Sequence, residues 1–322
     1  MKAIVQDQYG PATVLAAHEI DAPTIDDDQV LIRVRAAGVN PADWAIMCGL
    51  PYIARPVYGL PRPRRRVRGT DVAGVVEAVG RHVTQFQPGD EVFGRADGSY
   101  AQLAAAAPGT LARKPAGLSF EQAAAAPMAG LVALQAMRDH AHVGPGDQVL
   151  INGASGGIGT FAVQIAKALG AEVTAVCSTR NVDLVRSLGA DHVIDYTTDD
   201  FTAQAERYDV ILDNVSNHSL TDLRRVLAPT GTLVPNGGRF DNRWFASTGR
   251  LIVAAVRFVF GSQKVATFVV AITTPDLIAL ADLIEAGAVT PVIDRTYPLT
   301  ETDRALTQVG DGHARGKIVI TV

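Results

Sequence analysis

The run Gly153-Ala154-Ser155-Gly156-Gly157-Ile158-Gly159 limits what this chain can fold into more than any other seven residues. Ahead of it, Gln148–Asn152 is a short apolar stretch of strand type. Behind it, Ile158, Phe161, Ala162, Ile165, Ala166 and Leu169 recur at offsets 0, 3, 4, 7, 8 and 11, one face of a helix. Gly170 follows where a helix-ending glycine belongs. A strand that turns through glycines into a helix leaves the first helical N–H groups unpaired and lets backbone come close to an anion. Glycines at 153, 156 and 159 make a GxxGxxG variant of the dinucleotide fingerprint. The plainer alternative is a glycine-rich structural turn, and the flanking strands and helix argue against it. Cofactor contacts are expected from Gly153, Ser155, Gly156, Gly157, Ile158 and Gly159.

The neighbouring sequence extends the same pattern. Glu172–Cys177 reads as the next strand and Asp183–Leu188 as a helix closed by Gly189; His192–Tyr196, Tyr208–Asp213 and Thr232–Asn236 add strands, with Lys264–Ala271 as a sixth. Apolar strands alternating with helices predict a parallel sheet covered on both faces. Residues 1–120 differ. Short apolar runs (Lys2–Gln6, Gln29–Ala36, Val72–Val79, Glu91–Phe93, Tyr100–Ala104) are broken by Gly, Pro and Asp, which predicts a β-rich, barrel-like domain. The last fifty residues, with a helix over Leu277–Ala286 and a strand over Lys317–Val322, return to that texture. The expected fold class is α/β: a discontinuous β-rich domain, 1–120 plus 273–322, and a doubly wound domain over 121–272.

Composition narrows the function. The 322 residues suit about two domains. At 48% hydrophobic and 19% charged the chain is globular, not disordered. A formal charge of −4 speaks against gripping nucleic acid. Cys48 and Cys177 are the only cysteines, which excludes a disulfide framework and a four-cysteine zinc lobe and suits a reducing compartment. The most apolar stretch, Leu251–Phe260, contains Arg257 and falls short of the about twenty residues a membrane span needs. The N-terminus meets charge too early for a signal peptide, so a cytoplasmic protein is expected.

The second strand indicates which nucleotide. An NAD site carries Asp or Glu about 20 residues beyond the glycines, to bond the ribose hydroxyls. Here the chain reads Cys177-Ser178-Thr179-Arg180-Asn181, with no acid. Two hydroxyls and a guanidinium suit a 2′-phosphate, so NADPH is the expected cofactor, held by Ser178 and Arg180 with Tyr196 as a third contact. The bland alternatives are a helix cap at Ser178 and a solvated charge at Arg180. At the carboxyl ends of later strands, Asn214 and Val215, and Asn236 and Gly237, occupy positions where open parallel sheets bind ligands.

With these motifs the chain resembles the medium-chain dehydrogenase/reductase superfamily, and within it the zinc-free quinone oxidoreductase branch. The resemblance rests on Val39-Asn40-Pro41-Ala42-Asp43-Trp44, Gly69-Thr70-Asp71-Val72-Ala73-Gly74, Pro88-Gly89-Asp90-Glu91-Val92-Phe93-Gly94, Gly98-Ser99-Tyr100-Ala101, the glycine loop and Gly316-Lys317-Ile318-Val319. It implies a GroES-like catalytic domain plus a Rossmann domain with the active site between them, a homodimer, and Asn40, Asp43 and Tyr52 facing the nicotinamide and substrate. Asx hydrogen bonds and a packed aromatic are the plain readings of those three residues. The zinc branch would place Cys near Asn40 and His-Glu at Thr70-Asp71; neither is present, and His140 with His142 makes no ligand set, so no metal is expected. The implied reaction is hydride transfer from NADPH to a quinone or an α,β-unsaturated carbonyl, electrophiles that need no metal. The alternatives are reduction of an enoyl thioester and a non-catalytic NADPH sensor or scaffold. Two stretches stand apart: the basic loop Arg62–Arg68, solvated or anion-attracting, and the apolar segment 243–261, a lid, a dimer surface or buried packing.

Overall fold

The structure is a computed structural model that describes residues 1–236, 244, 261–312 and 314–322. Gly237 and all of the apolar segment 243–261 except Trp244 and Gly261 lie outside the described residues. The chain forms two compact units: residues 1–131, 271–287 and 291–322 make the first, and 132–270 with 288–290 the second.

The first unit is built on β1 (Lys2–Gln6), β2 (Leu15–Glu19), β3 (Val30–Val39), β4 (Asp71–Val79), β5 (Glu91–Arg95), β6 (Leu103–Ala106) and β7 (Leu111–Arg113). Alternation sets the faces of β3: Val30, Ile32, Val34 and Ala36 are buried, whereas Arg33 and Arg35 are exposed. Val30, Ile32 and Val34 meet Val72, Val76, Val92 and Leu111 in one core cluster. Pro41 then opens α1 (Pro41–Cys48), which ends at Gly49 in the left-handed region, φ 71°. A four-residue turn of helix, α2 (Arg55–Tyr58), follows. Helices α3 (Phe120–Ala125, capped by Ser119) and α4 (Pro127–Leu134) come next. Because α3 packs on β3 and β4, the first unit extends to 131 rather than stopping at 120, and the chain leaves it within α4.

The second unit holds β8 (Gln148–Asn152), α5 (Gly157–Ala168), β9 (Glu172–Cys177), α6 (Val182–Ser187), β10 (His192–Asp195), β11 (Tyr208–Asp213), α7 (Leu220–Val226), β12 (Leu227–Pro235) and β13 (Lys264–Val265). All its pairings are parallel and run β10-β9-β8-β11-β12-β13, the 3-2-1-4-5-6 order of a Rossmann sheet. Two expectations shift. β12 starts five residues before Thr232. β13 stops at Val265 rather than Ala271, and Val269 beyond it is 94% exposed, so that apolar run is not buried as an inner strand would be.

The tail returns to the first unit with α8 (Thr274–Glu285), β14 (Ile293–Pro298), α9 (Thr302–Gly310) and β15 (Lys317–Thr321). β15 pairs antiparallel with β3, Ile318 opposite Val39, in the order β14-β15-β3-β4-β5-β7. That register carries Lys317 to the end of β3, where Asn40 begins α1. Trp44 is half-buried against a core cluster that includes Val39, Leu306 and Ile318, and lies over Gly310, where a Cβ would meet its Nε1 at 2.3 Å. No helix among the described residues is long and apolar enough to cross a membrane.

Candidate active site

Two arrangements are candidates for chemistry, one in each unit. In the second, β8 delivers the chain into Gly153 with φ 80°, and the N–H groups of Gly153 and Ala154 donate to the Val176 carbonyl of β9 at 3.2 and 3.0 Å. The loop's glycines are there for different reasons. A Cβ on Gly159 would meet the Gly153 carbonyl oxygen at 2.2 Å, so helix and strand could not approach as they do. A Cβ on Gly156 would meet nothing closer than 3.5 Å, and its φ of −81° suits any residue. The protein itself does not require glycine at 156. Backbone bare of a side chain there, with the unpaired N–H groups that open α5, suits an external anion. The loop therefore fits a dinucleotide pyrophosphate.

The turn after β9 sits beside this loop. Asn181 donates from Nδ2 to the Ser155 hydroxyl at 2.9 Å and to the Ser178 hydroxyl at 3.2 Å, tying the two together. The Tyr196 N–H donates to the Cys177 carbonyl at 3.0 Å, which places Tyr196, 57% exposed, at the same strand ends as Ser178 and Arg180. Asn181 was not singled out from the sequence, although it stands next to Arg180. Asp195, which ends β10, was also missed. Hydrogen bonds from the Thr179 and Thr197 side chains hold its carboxyl below the usual range, so this edge carries a fixed anion after all.

At the next strand ends, Asp213 is buried and its Oδ1 accepts from Asn152 Nδ2 at 2.9 Å and from the Ser216 N–H at 2.9 Å. The resulting turn presents Asn214 and Val215. Asn214 Oδ1 accepts from Asn236 Nδ2 at 2.8 Å, while its own buried Nδ2 has no hydrogen-bond partner among the described residues. A buried amide without an acceptor points to a ligand oxygen. Val215 lies over Gly153, where a Cβ would meet it at 2.8 Å.

The first unit holds a buried polar network. Asn40 and Asp43 are 4% and 3% exposed, Asp71 is fully buried, and Lys317 is 3% exposed. Lys317 Nζ donates to Asn40 Oδ1 at 2.5 Å and to the Val39 carbonyl at 3.1 Å, and lies 3.6 Å from Asp71 Oδ2. Asn40 Nδ2 donates to Asp71 Oδ2 at 2.9 Å. Asp43 Oδ2 accepts from the Asn40 N–H at 2.9 Å and from the Tyr100 hydroxyl at 3.1 Å. Burial, with the Asp71 charge adding to it, pushes the Asp43 carboxyl up to about 6. Burial likewise raises Asp71 and Tyr100 and lowers Lys317. Both polar ends of the Asn40 amide are thus occupied by charged neighbours. Tyr52 stands apart from this group: its ring and that of Tyr9 clamp the Arg55 guanidinium at 4.5 and 4.8 Å.

No group of three His, Cys, Asp or Glu side chains among the described residues could hold a metal ion. His140 is half-buried, its ring stacked on Phe268 at 4.2 Å between centroids; His142 is exposed.

Residues 26–136 match the alcohol dehydrogenase GroES-like domain, and residues 188–320 match the zinc-binding dehydrogenase family. A chloroplastic quinone-oxidoreductase homolog of Spinacia oleracea is 32% identical over 99% of this chain and 98% of its own length. The mitochondrial NAD(P)H oxidoreductase RTN4IP1 of Mus musculus is 35% identical over 100% of this chain and 89% of its own. The Escherichia coli quinone oxidoreductase, solved in complex with NADPH, superposes with a TM-score of 0.83 at 25% identity over the whole of both chains. The chain belongs to the medium-chain dehydrogenase/reductase superfamily, in its quinone oxidoreductase branch. It is an NAD(P)H-dependent oxidoreductase acting on small molecules, with a GroES-like unit and a Rossmann unit.

Proposed function

We propose that the protein reduces a quinone or an α,β-unsaturated carbonyl with NADPH and without a metal ion. Gly156 carries the reading: it is a glycine that the fold does not require and a bound pyrophosphate does. Ser178, Arg180 and Tyr196 surround the position of an added 2′-phosphate. When bound, NADPH supplies a hydride, and an acceptor carbon already made electrophilic by conjugation takes it without metal polarisation.

The chain's own residues then bind and orient. The backbone of residues 153–159 cradles the pyrophosphate, and Asn214 Nδ2, Asn236 and Gly237 serve the sheet-end side of the nucleotide. In the first unit Asn40 Nδ2 gives one proton to Asp71 and has its second to offer a ligand, so Asn40 is the contact residue; Asp43, spent on the Asn40 N–H and the Tyr100 hydroxyl, positions it. Tyr52 offers a phenol to the reduced oxygen or covers the ring. The Lys317 ammonium supplies the positive charge beside Asp71, the acid that stands where the zinc branch has Glu. A cytoplasmic homodimer accompanies this reading; the two free cysteines suit that compartment, whereas the spinach and mouse relatives are named as organellar.

One observation favours NADH instead: Asp195 puts a carboxylate at the strand edge. Its Oδ1 already accepts from the Thr197 N–H and hydroxyl, and on this reading Arg180 meets the 2′-phosphate. Titration decides between the two. A charge-assisted contact is worth about 1.5–3 kcal/mol, so Arg180→Ala is expected to weaken NADPH binding roughly ten- to a hundredfold and leave NADH unchanged. NADPH oxidation with a panel of quinones and enals is the second measurement. Preference of the wild-type protein for NADH overturns the cofactor assignment, and no turnover on any member overturns the substrate assignment.

A further inference from the structure

Between Trp44 and Thr70 the chain carries Arg55, Arg62, Arg64, Arg65, Arg66 and Arg68 and not one acidic residue, inside a protein whose formal charge is −4. The fold sorts these six cations. Arg55 is clamped between Tyr9 and Tyr52 and donates to the Gly49 carbonyl. Arg65 pairs with Asp97, and Arg66 with Asp7. Arg68 is buried and bonds Gln6. Arg62 and Arg64 remain exposed, with no ion pair among the described residues.

The loop that displays them is built, not loose. Gly59 sits at φ 128°, and a Cβ there would meet the Arg62 carbonyl oxygen at 2.2 Å and the Arg64 nitrogen at 2.6 Å, so only glycine lets the chain double back. The Arg64 N–H donates to the Tyr58 carbonyl at 2.8 Å, and the Tyr9 hydroxyl donates to the Gly59 carbonyl at 2.9 Å. The fold-back encloses a cavity of about 410 Å³ lined by Pro56, Gly59, Leu60, Arg62, Pro63 and Arg64. On the same loop Ile53, Val57 and Leu60 are 57%, 71% and 65% exposed. Few large apolar side chains in the described residues are that open, and these three lie within eight residues of one another, beside the free arginines.

We propose that this loop docks the first unit onto an anionic phospholipid surface, with Ile53, Val57 and Leu60 entering the interface and Arg62 and Arg64 meeting headgroup phosphates. Charge complementarity supplies the attraction, and the apolar triad selects the occupant. A free phosphate gives three aliphatic side chains nothing to bury against. Nucleic acid wants open aromatic faces to stack on, and Tyr9 and Tyr52 are already occupied by Arg55. The attachment is peripheral, since no helix among the described residues spans a bilayer. It does not depend on the redox reading, because the test reads partitioning and not turnover.

The full chain is sedimented with vesicles of phosphatidylcholine alone or with a third phosphatidylglycerol. Binding to the anionic vesicles only, falling as salt is raised to about 0.5 M, is the expected result. Each arginine near such a surface contributes about fivefold to partitioning, so Arg62→Gln with Arg64→Gln is expected to weaken it about thirtyfold. Ile53→Ser with Val57→Ser weakens it as well, whereas Arg315→Gln, an exposed arginine outside this loop, leaves it unchanged. Folding of each variant is checked by its thermal midpoint and NAD(P)H binding. Absence of binding to anionic vesicles overturns the proposal, and so does equal binding by the arginine double variant. Competition by inorganic phosphate at millimolar level, or tighter binding to a single-stranded oligonucleotide, reassigns the patch and overturns it too.

Discussion

The glycine loop of the second unit and the polar network of the first are built from opposite materials. The loop is backbone: its specificity lies in where a Cβ cannot be, at Gly159, and where a Cβ need not be avoided by the fold, at Gly156. The network is side chains: Lys317, Asp71, Asn40, Asp43 and Tyr100 come from four separate stretches of chain and satisfy one another out of reach of water. A backbone site tolerates almost any neighbouring side chain and no added methyl group. A buried ionic network tolerates added volume poorly and lost charge worse, because desolvated carboxylates remain when their counter-ion goes.

Removing that counter-ion gives the largest expected effect. Lys317→Met keeps a side chain of similar length and leaves Asp71 and Asp43 buried without the ammonium that lowers them both. Breaking a buried pair on one side costs about 3–5 kcal/mol. The deficit should depend on pH. Both carboxyls already sit above their unfolded values; for Asp43 the native state binds more protons than the unfolded chain in the window from about 4 to about 6, and ionising either group as pH rises erodes stability. Without Lys317 both carboxyls rise further, so the variant is weakest at pH 8 and recovers towards pH 5. Urea unfolding at the two pH values measures this; an equal deficit at both would mean that the ammonium does not compensate the carboxylates.

The two glycines supply the contrasting test. Gly159→Ala forces a methyl group to within about 2 Å of a carbonyl oxygen, and overpacking of this kind costs about 1–3 kcal/mol and should abolish tight nucleotide binding. Gly156→Ala should leave stability within about 0.5 kcal/mol and still lower affinity for the dinucleotide more than tenfold. Thermal unfolding alongside a fluorescence titration separates the two. Unchanged affinity in Gly156→Ala would remove the argument that the loop's second glycine exists for a ligand.

The same contrast explains which parts of the molecule are legible in its sequence. Everything about the loop is local: strand, glycines and helical stripe lie within 22 consecutive residues, 148–169, and periodicity alone places them. The network is legible only through sheet register. Ile318 opposite Val39 brings a residue near the C-terminus to one near position 40, and no short-range pattern encodes that pairing. Asn40 and Asp43 were reached by resemblance to a family, not by spacing, and their burial could not be foreseen from either. Asp195 was missed for a related reason: the search for an acid followed the second strand, while parallel pairing sets Asp195 of the third strand beside Cys177. The run Lys264–Ala271 misled in the other direction, since an apolar stretch says nothing about whether the sheet continues past Val265.

The smallest expected effect isolates one hydrogen bond within the network. Tyr100→Phe removes the hydroxyl that donates to Asp43 at 3.1 Å and leaves the buried ring in place. That hydroxyl lowers the Asp43 carboxyl, so its loss moves the group further above about 6. Above that pH the wild-type bond is made to a carboxylate and is worth about 1.5–2 kcal/mol; below it the partner is a neutral carboxyl and the bond is worth about 0.5–1 kcal/mol. The variant should therefore lose more stability at pH 8 than at pH 5, in the same direction as Lys317→Met and at roughly a third of its size. Since Asn40 keeps its bonds to Lys317 and Asp71, nucleotide affinity should stay as it is in the wild type. A Tyr100→Phe protein that loses the same small amount of stability, about 0.5–1 kcal/mol, at both pH values would show that Asp43 is already protonated at neutral pH, and the network would then hold one carboxylate instead of two.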